Sequence, residues 1–210
     1  AVGGIIRLAN GCKVDHGRVV EIGLPKSHLA RFQVVEYLRA FLVGRVALSM
    51  MNGLLIISGA FGIFTRKAVI EVGGFRHDTV GEDMDMVAKL HRHFRLTREP
   101  YRIVFQPDPV CWTEAPEKFG SLARQRDRWQ RGTLQTLRFH APMLLNPRYG
   151  LLGLVVMPYY LLFEGIGPVI ELVGYVLTIA AAWFGLIDWK FAQLLFLTAV
   201  LYGAMISLAS

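Results

Sequence analysis

The chain has 210 residues, 53% of them hydrophobic, with a mean hydropathy of +0.40 and a formal charge of +7; this is too apolar for an ordinary soluble domain, so part of it must meet lipid. Before Leu151 lie 22 of the 23 Lys+Arg and 13 of the 16 Asp+Glu, about +9, whereas the remainder sets one lysine against three acids, about −2. The basic residues are not interleaved with an RNA or DNA motif, so nucleic acid is set aside in favour of small-substrate phosphates or anionic lipid headgroups, and Cys12 and Cys111 lack the neighbours of a zinc site or disulfide framework, which points to a reducing cytosolic face.

Ala1 to Leu8 is short, β-branched and glycine-containing, which predicts a strand; with no charged and apolar leader before it, the start reads as a cut. In the stretch from Leu29 to Met50, Leu29, Phe32, Val35, Leu38 and Leu42 recur at helical spacing opposite Arg31, Glu36, Arg39 and Arg45. This predicts an amphipathic helix suited to a membrane surface. Gly53 to Phe64 reads as a buried strand whose glycines permit close approach, and Arg66 to Val72 as a short helix stopped by Gly73-Gly74. Glu82 to Phe94 predicts a helix with acids at its start, where the helix dipole favours them. Tyr101 to Gln106 predicts a strand closed by Pro107 and Pro109, and Glu117 to His140 a long helix.

From Leu151 to Ile187 only Glu164 and Glu171 are charged, and these 37 residues exceed the ~20 needed to cross a bilayer. The expectation is an interfacial lead-in over Leu151 to Phe163 and a span over Ile166 to Ile187, with Pro158 and Pro168 as kink points. Phe191 to Leu208 is a second apolar segment, separated from the first by Asp188-Trp189-Lys190. Glu164 and Glu171, seven apart on one face, look into protein or water, either along a polymer path or in a hydrogen bond between helices.

Asp83, behind the flexible Gly73-Gly74 and Gly81, can be aimed into a cleft to take a proton from a sugar hydroxyl; equally, Glu82 and Asp83 can simply cap their helix. Asp83-Met84-Asp85 has the spelling of a metal-binding DxD, but on a helix its carboxylates point about 200° apart. His91 and His93, two apart, also fall on different sides and disfavour a metal site. Gln125, Arg128 and Trp129 sit at i, i+3 and i+4, so an amide, a guanidinium and an indole share one face; sugar rings stack on indole and guanidinium binds diphosphate. With Arg124 and Arg131 alongside, the same helix would also suit anionic lipid.

Glu82-Asp83, followed about forty residues later by Gln125-Arg126-Asp127-Arg128-Trp129 and then by apolar segments, resembles the membrane-integrated family 2 glycosyltransferases, which include cellulose, hyaluronan, chitin and poly-N-acetylglucosamine synthases. Ser58-Gly59-Ala60 and Gly73-Gly74-Phe75 stand where that family has its acceptor-site loop and the glycine turn before its acidic pair. The resemblance implies that Asp83, with Glu82 beside it, is the catalytic base, that Trp129 is the platform under the acceptor sugar, and that Gln125 and Arg128 contact donor diphosphate and acceptor, with Ser58 and Gly59 in the acceptor loop. It also implies Mg²⁺ or Mn²⁺ for the full protein, held by an upstream aspartate and DxD that this chain does not supply: Asp15 and Glu21 are isolated.

The expected fold is α/β: the second half of a glycosyltransferase-A-like, Rossmann-like domain over residues 1–116, an interfacial helix region with the Gln-x-x-Arg-Trp motif over 117–148, and a transmembrane region of about two spans over 149–210. The expected activity is inverting transfer from a UDP-sugar to a growing glycan by a multi-pass protein of the cell inner membrane, its catalytic part cytoplasmic and in contact with membrane lipid, this stretch alone being inactive. The alternatives are a non-processive membrane transferase acting on a lipid or small glycan, and a silent membrane-surface binding module.

Overall fold

The computed structural model describes residues 1–209, and the chain folds as two compact units, Ala1–Gly165 and a second from Ile166 on. The first unit is mixed α/β. Strand β1 (Val2–Leu8) lies at the centre of a three-stranded sheet, antiparallel to β4 (Gly62–Ile63) on one side and parallel to β5 (Val104–Thr113) on the other. A separate hairpin joins β2 (Lys13–Asp15) and β3 (Arg18–Glu21), turning through His16 and Gly17, both at positive φ.

Three expectations change. The strand at 101–106 runs on past its prolines to Thr113. Gly4 pairs with Gln106 and Ile5 with Val110, so Pro107-Asp108-Pro109 is looped out as a bulge: proline has no N–H for the ladder, and the strand sheds both and resumes. The second change is at Gly53 to Phe64, where only Gly62–Ile63 is strand. Leu54, Leu55 and Ile57 are buried as expected, but as core side chains of an irregular segment whose Leu54 carbonyl bonds a histidine and not a neighbouring strand. Third, the helix from position 29 is interrupted. It consists of α1 (His28–Arg39), a π-helical turn (Ala40–Arg45) and α2 (Val46–Met50). Its inward residues are Ala30, Gln33, Tyr37 and Phe41, and the regular stripe containing Phe32, Val35 and Leu42 faces outward.

The end of α2 closes the sheet's open side. Ser49 Oγ accepts the Phe105 N–H at 2.8 Å, and Asn52 Oδ1 accepts that of Ile103 at 3.0 Å, so β5 does not present these donors to another chain.

Helix α3 (Arg66–Glu71) stops at Gly73 and Gly74, both at positive φ. The central helix is α4 (Glu82–Thr97). Met86, Val87 and Leu90 pack on the sheet-side core with Ile5, Ile57 and Ile103. Met84 and Ala88 enter a second core with Leu137, Met143, Tyr149, Leu152 and Met157. Cores on two faces leave α4 little freedom to shift, since interiors are close-packed. His91 is sealed within it: Nε2 lies 2.9 Å from the Leu54 carbonyl and Nδ1 2.7 Å from Tyr101 Oη, and burial pushes its pKa down to about 4. At neutral pH it is an uncharged strut, with Nε2–H donating to the carbonyl and Nδ1 accepting the tyrosine proton.

Helix α5 (Phe119–Phe139) is a single run, and Gln33 Nε2 fixes its approach by donating to the Pro116 carbonyl at 2.8 Å. Beyond Tyr149 the chain is helical but uneven: a π-helical stretch (Leu152–Val156), α6 (Met157–Tyr159) and another π-helical stretch (Tyr160–Ile166) flank Pro158 and precede Pro168. Missing proline donors upset the i−4 ladder here. Leu152, Gly153, Val156 and Met157 are buried in the first unit.

The second unit consists of α7 (Gly167–Trp183) and α8 (Trp189–Ala209), apolar helices whose described side chains are mostly exposed. Among the described residues one helix, Leu152–Trp183, is long and apolar enough to cross a membrane. The second expected span falls on α8, and the side chains at its far end lie outside the described residues. Asp188, expected in a loop, caps α8 by accepting the N–H groups of Lys190 and Phe191 at 2.9 and 3.2 Å. Glu171 accepts from Tyr175 Oη at 2.6 Å within its own helix.

Candidate functional site

Gly81 precedes α4 and has no side chain to cap it, so the first-turn carboxylates meet the free N–H groups. Asp83 Oδ1 accepts from Met84 N at 2.8 Å, which is the capping role. Its second oxygen does something else: Oδ2 accepts from Gly59 N at 2.9 Å, across 24 residues of sequence. The turn Ser58 to Phe61, closed by Phe61 N–H to the Ser58 carbonyl at 3.0 Å, thereby holds the half-buried carboxylate. Burial pushes the Asp83 carboxyl above the ordinary carboxylate range; the Met84 and Gly59 N–H groups pull it back in part, and the Glu82 charge raises it further. Glu82 itself is exposed.

The spelling Asp-Met-Asp does not make a metal pair. Asp85 is fully buried on the opposite side, with His140 Nε2 at 3.0 Å from Oδ1 and Lys89 Nζ at 3.3 Å from Oδ2. Burial pushes the Asp85 carboxyl up, but the His140 hydrogen bond and the Lys89 charge outweigh it, and the net shift is downward. Among the described residues no three His, Cys, Asp or Glu side chains gather where they could hold an ion, so the residues present do not fit a divalent metal.

On α5 the expected trio separates by environment. Arg128 is exposed, and Trp129 is 40% exposed, so its ring is available to a ligand. Gln125 is half-buried, with Oε1 shielded from solvent and without a partner among the described residues. Arg126, expected only as a neighbour, steadies the indole: its guanidinium lies 4.8 Å from the Trp129 ring and forms a two-pronged ion pair with Glu36 of α1. Tyr37 completes the support, its ring centroid 6.4 Å from that of Trp129.

Two contacts tie Asp83 to this helix. A Cβ on Gly132 would lie 2.8 Å from the Gly81 Cα, so the backbones of α5 and the α4 start touch directly. Gln135 Oε1, one turn on, accepts from Thr79 Oγ1 at 2.9 Å and Val80 N at 3.2 Å. Gly132 follows Trp129 by three residues, so the backbone contact with the start of α4 lies about one helical turn along α5 from position 129.

The sequence pattern did not reveal Arg45, Glu36, Tyr37 and Gly132 as members of this group. Arg45 leaves the π-helical turn with its guanidinium 3.8 Å from the Phe41 ring, within electrostatic reach of Tyr160, Asp83 and Tyr37. Burial lowers its pKa and those three groups raise it in part. A positive charge within electrostatic reach of Asp83 suits an anionic group bound near that carboxylate. The signal available beforehand was Gly132: an isolated glycine inside a helix costs about 1 kcal/mol against alanine and asks for a packing reason.

Comparison with known proteins gives two findings. A family model described as Glycosyl transferase family group 2 matches residues 16–208. The chain is also similar to the poly-beta-1,6-N-acetyl-D-glucosamine synthase of Staphylococcus aureus (strain COL), 35% identical over 113 residues, 53% of this chain and 26% of that protein. With the synthase of the same name from Staphylococcus epidermidis it is 31% identical over 146 residues, 68% of this chain and 32% of that protein. The matched stretch thus spans about a quarter to a third of the length of these curated relatives.

Proposed function

The chain belongs to the family 2 glycosyltransferases, and from that premise we propose that it is the acceptor-side portion of an enzyme that transfers a hexose or N-acetylhexosamine from a UDP-sugar to a growing glycan, with inversion at the anomeric carbon. The observation that carries this reading is the Asp83 carboxylate, seated on the Gly59 N–H and locked through Gly81 and Gly132 to the helix that presents Trp129. In the proposed step the acceptor hydroxyl gives its proton to Asp83 as its oxygen attacks C1 of the donor; the bond from C1 to the diphosphate oxygen breaks and UDP leaves. Trp129 supports the acceptor ring, Arg128 and Gln125 meet the diphosphate and acceptor, Glu82 holds charge at the mouth of the site, and Ser58 with Gly59 shapes the acceptor loop.

Residues 1–116 then form the second half of a glycosyltransferase-A-like domain, 117–148 an interfacial helix and 149–210 a membrane region of about two spans. Mg²⁺ or Mn²⁺ would be held by residues elsewhere in the whole protein. The exposed Phe32, Val35 and Leu42 stripe supports a lipid-facing role for α1. Arg124, Arg126, Arg128, Arg131, Arg138 and Arg148 ahead of the apolar segment support a cytoplasmic location for residues 1–148 at the inner membrane. A cysteine placed at Arg138 is therefore expected to react with impermeant reagents only in opened cells; labelling in intact cells would reverse the topology.

The test of activity is UDP release by the full-length protein with a panel of UDP-sugars and a glycan acceptor, followed by product sizing. Release with long product supports polymer synthesis, addition of a single sugar reduces the reading to a one-step transferase, and no release from any donor overturns it.

A further inference from the structure

On the side of α4 away from Asp83, a second cleft of 340 Å³ opens between this helix, the turn after α3 and the end of α5. Arg76, Lys89, Arg92 and His93 line it, and Asp85 and His140 form its base. The one acid at the base meets His140 through Oδ1 at 3.0 Å and lies within ion-pair distance of Lys89 through Oδ2 at 3.3 Å, while Lys89 also donates to the Gly74 carbonyl at 2.9 Å. Arg76 is held with its guanidinium 4.0 Å from the Phe139 ring, and its contact with Asp78 is 3.5 Å long. His93 stands 4.0 Å from Glu71, and Arg92 has no acid within ion-pair distance among the described residues. His140 is 3% exposed, yet its Nδ1 is buried with no hydrogen-bond partner among the described residues. His140 therefore has hydrogen-bonding capacity to spare beside the basic cleft, as does Thr136 Oγ1 one helical turn before it.

We propose that this cleft binds a phosphate group of a small ligand or lipid, at a site separate from that of sugar transfer. Two guanidinium forks and one ammonium suit the several oxygens of a phosphate, and the His140 ring that meets Asp85 through Nε2 keeps a second nitrogen, Nδ1, without a partner among the described residues. The site touches both α4 and α5. If Asp83 and Trp129 are the transfer site, on which this part of the inference rests, an occupant here sets the angle between the two helices that carry them and so regulates transfer.

The test is calorimetric titration of the full-length protein in detergent with inorganic pyrophosphate, in saturating UDP so that the donor site is filled. One further saturable site is expected, weakened about tenfold by Arg92→Gln and by Arg76→Gln, each of which removes a charge-assisted contact, and unchanged by Arg128→Gln. A second arm replaces pyrophosphate with mixed micelles containing phosphatidic acid or phosphatidylcholine. Binding to phosphatidic acid alone, with the same sensitivity to Arg92→Gln and Arg76→Gln, assigns the phosphate to a lipid headgroup. Absence of binding in both arms, binding indifferent to both substitutions, or binding lost in Arg128→Gln would overturn the proposal. None of these readouts measures turnover, so a failure of the Asp83 assignment would show in activity and leave this result standing.

Discussion

Asp83→Asn in the full-length protein is expected to lower sugar transfer by about 10²–10⁴-fold, the usual contribution of a positioned base, while UDP-sugar binding stays close to that of the parent. The amide keeps the shape of the carboxylate but cannot take the acceptor proton. The stability effect combines two opposed contributions. The folded-state pKa of Asp83 is raised, chiefly by burial, so the stability linked to its protonated form is present below the unfolded pKa and lost as pH rises through the folded one. At neutral pH the ionised carboxylate is therefore a cost to the fold that asparagine removes, but the amide NH2 cannot accept one of the two N–H groups, of Met84 and Gly59, that the carboxylate holds, so the melting temperature is expected to change little. In the parent enzyme the same shift places the acid limb of kcat/KM above the ordinary carboxyl range, because activity falls as Asp83 gains its proton. Near-normal turnover in Asp83→Asn would remove Asp83 from the role of base.

Gly132→Ala is expected to harm both stability and turnover, although alanine in the middle of a helix ordinarily gains about 1 kcal/mol over glycine. The new Cβ would lie 2.8 Å from the Gly81 Cα and 3.0 Å from its nitrogen, and both are backbone atoms that no rotamer change can move. Helix α5 must then lift from the start of α4, at a cost of about 1–3 kcal/mol as for other overpacked sites. A displacement of about 1 Å between base and platform would lower turnover about 10²-fold. Gly120→Ala on the same helix is the control, since its Cβ would meet only the end of Arg124 at 3.7 Å. If Gly132→Ala proved as stable and active as Gly120→Ala, the contact between Gly81 and Gly132 would not be what sets the site.

The physical role of Gly81 differs from its expected one. The sequence suggested flexibility behind Asp83, whereas Gly81 stays at negative φ, −120°, and is held by Gly132. It is glycine because two backbones meet there, a fact that involves residues 51 positions apart and leaves no trace in either local sequence. The positive φ of Gly73 and Gly74 was legible, because a helix stop is a local event.

Local rules also explain the correct expectations for the long elements. The 3.6-residue spacing located α4, the proline-free run after Pro116 located α5 and the β-branched run located β1, while the apolar stretch expected as a lead-in and a separate span is one helix, Leu152–Trp183. They failed where the outcome depended on partners. Proline at 107 and 109 argued for the end of a strand, but β1 was available to pair on the far side of a bulge, so the strand continued. The apolar run from Gly53 was buried as expected, yet α4 and the sheet needed its side chains more than any strand needed its backbone.

By itself the sequence determined the family signature, the elements with strong periodicity and the acidic start of α4, because each depends on residues within a few turns of one another. Only the tertiary structure decided which oxygen of Asp83 would be free of capping, that Glu36 and Arg126 would brace Trp129, and that Asp85 would turn away into a cation-lined cleft. Those outcomes are set by close packing and by the need to pair buried charge, which act between segments 24, 90 and 55 residues apart.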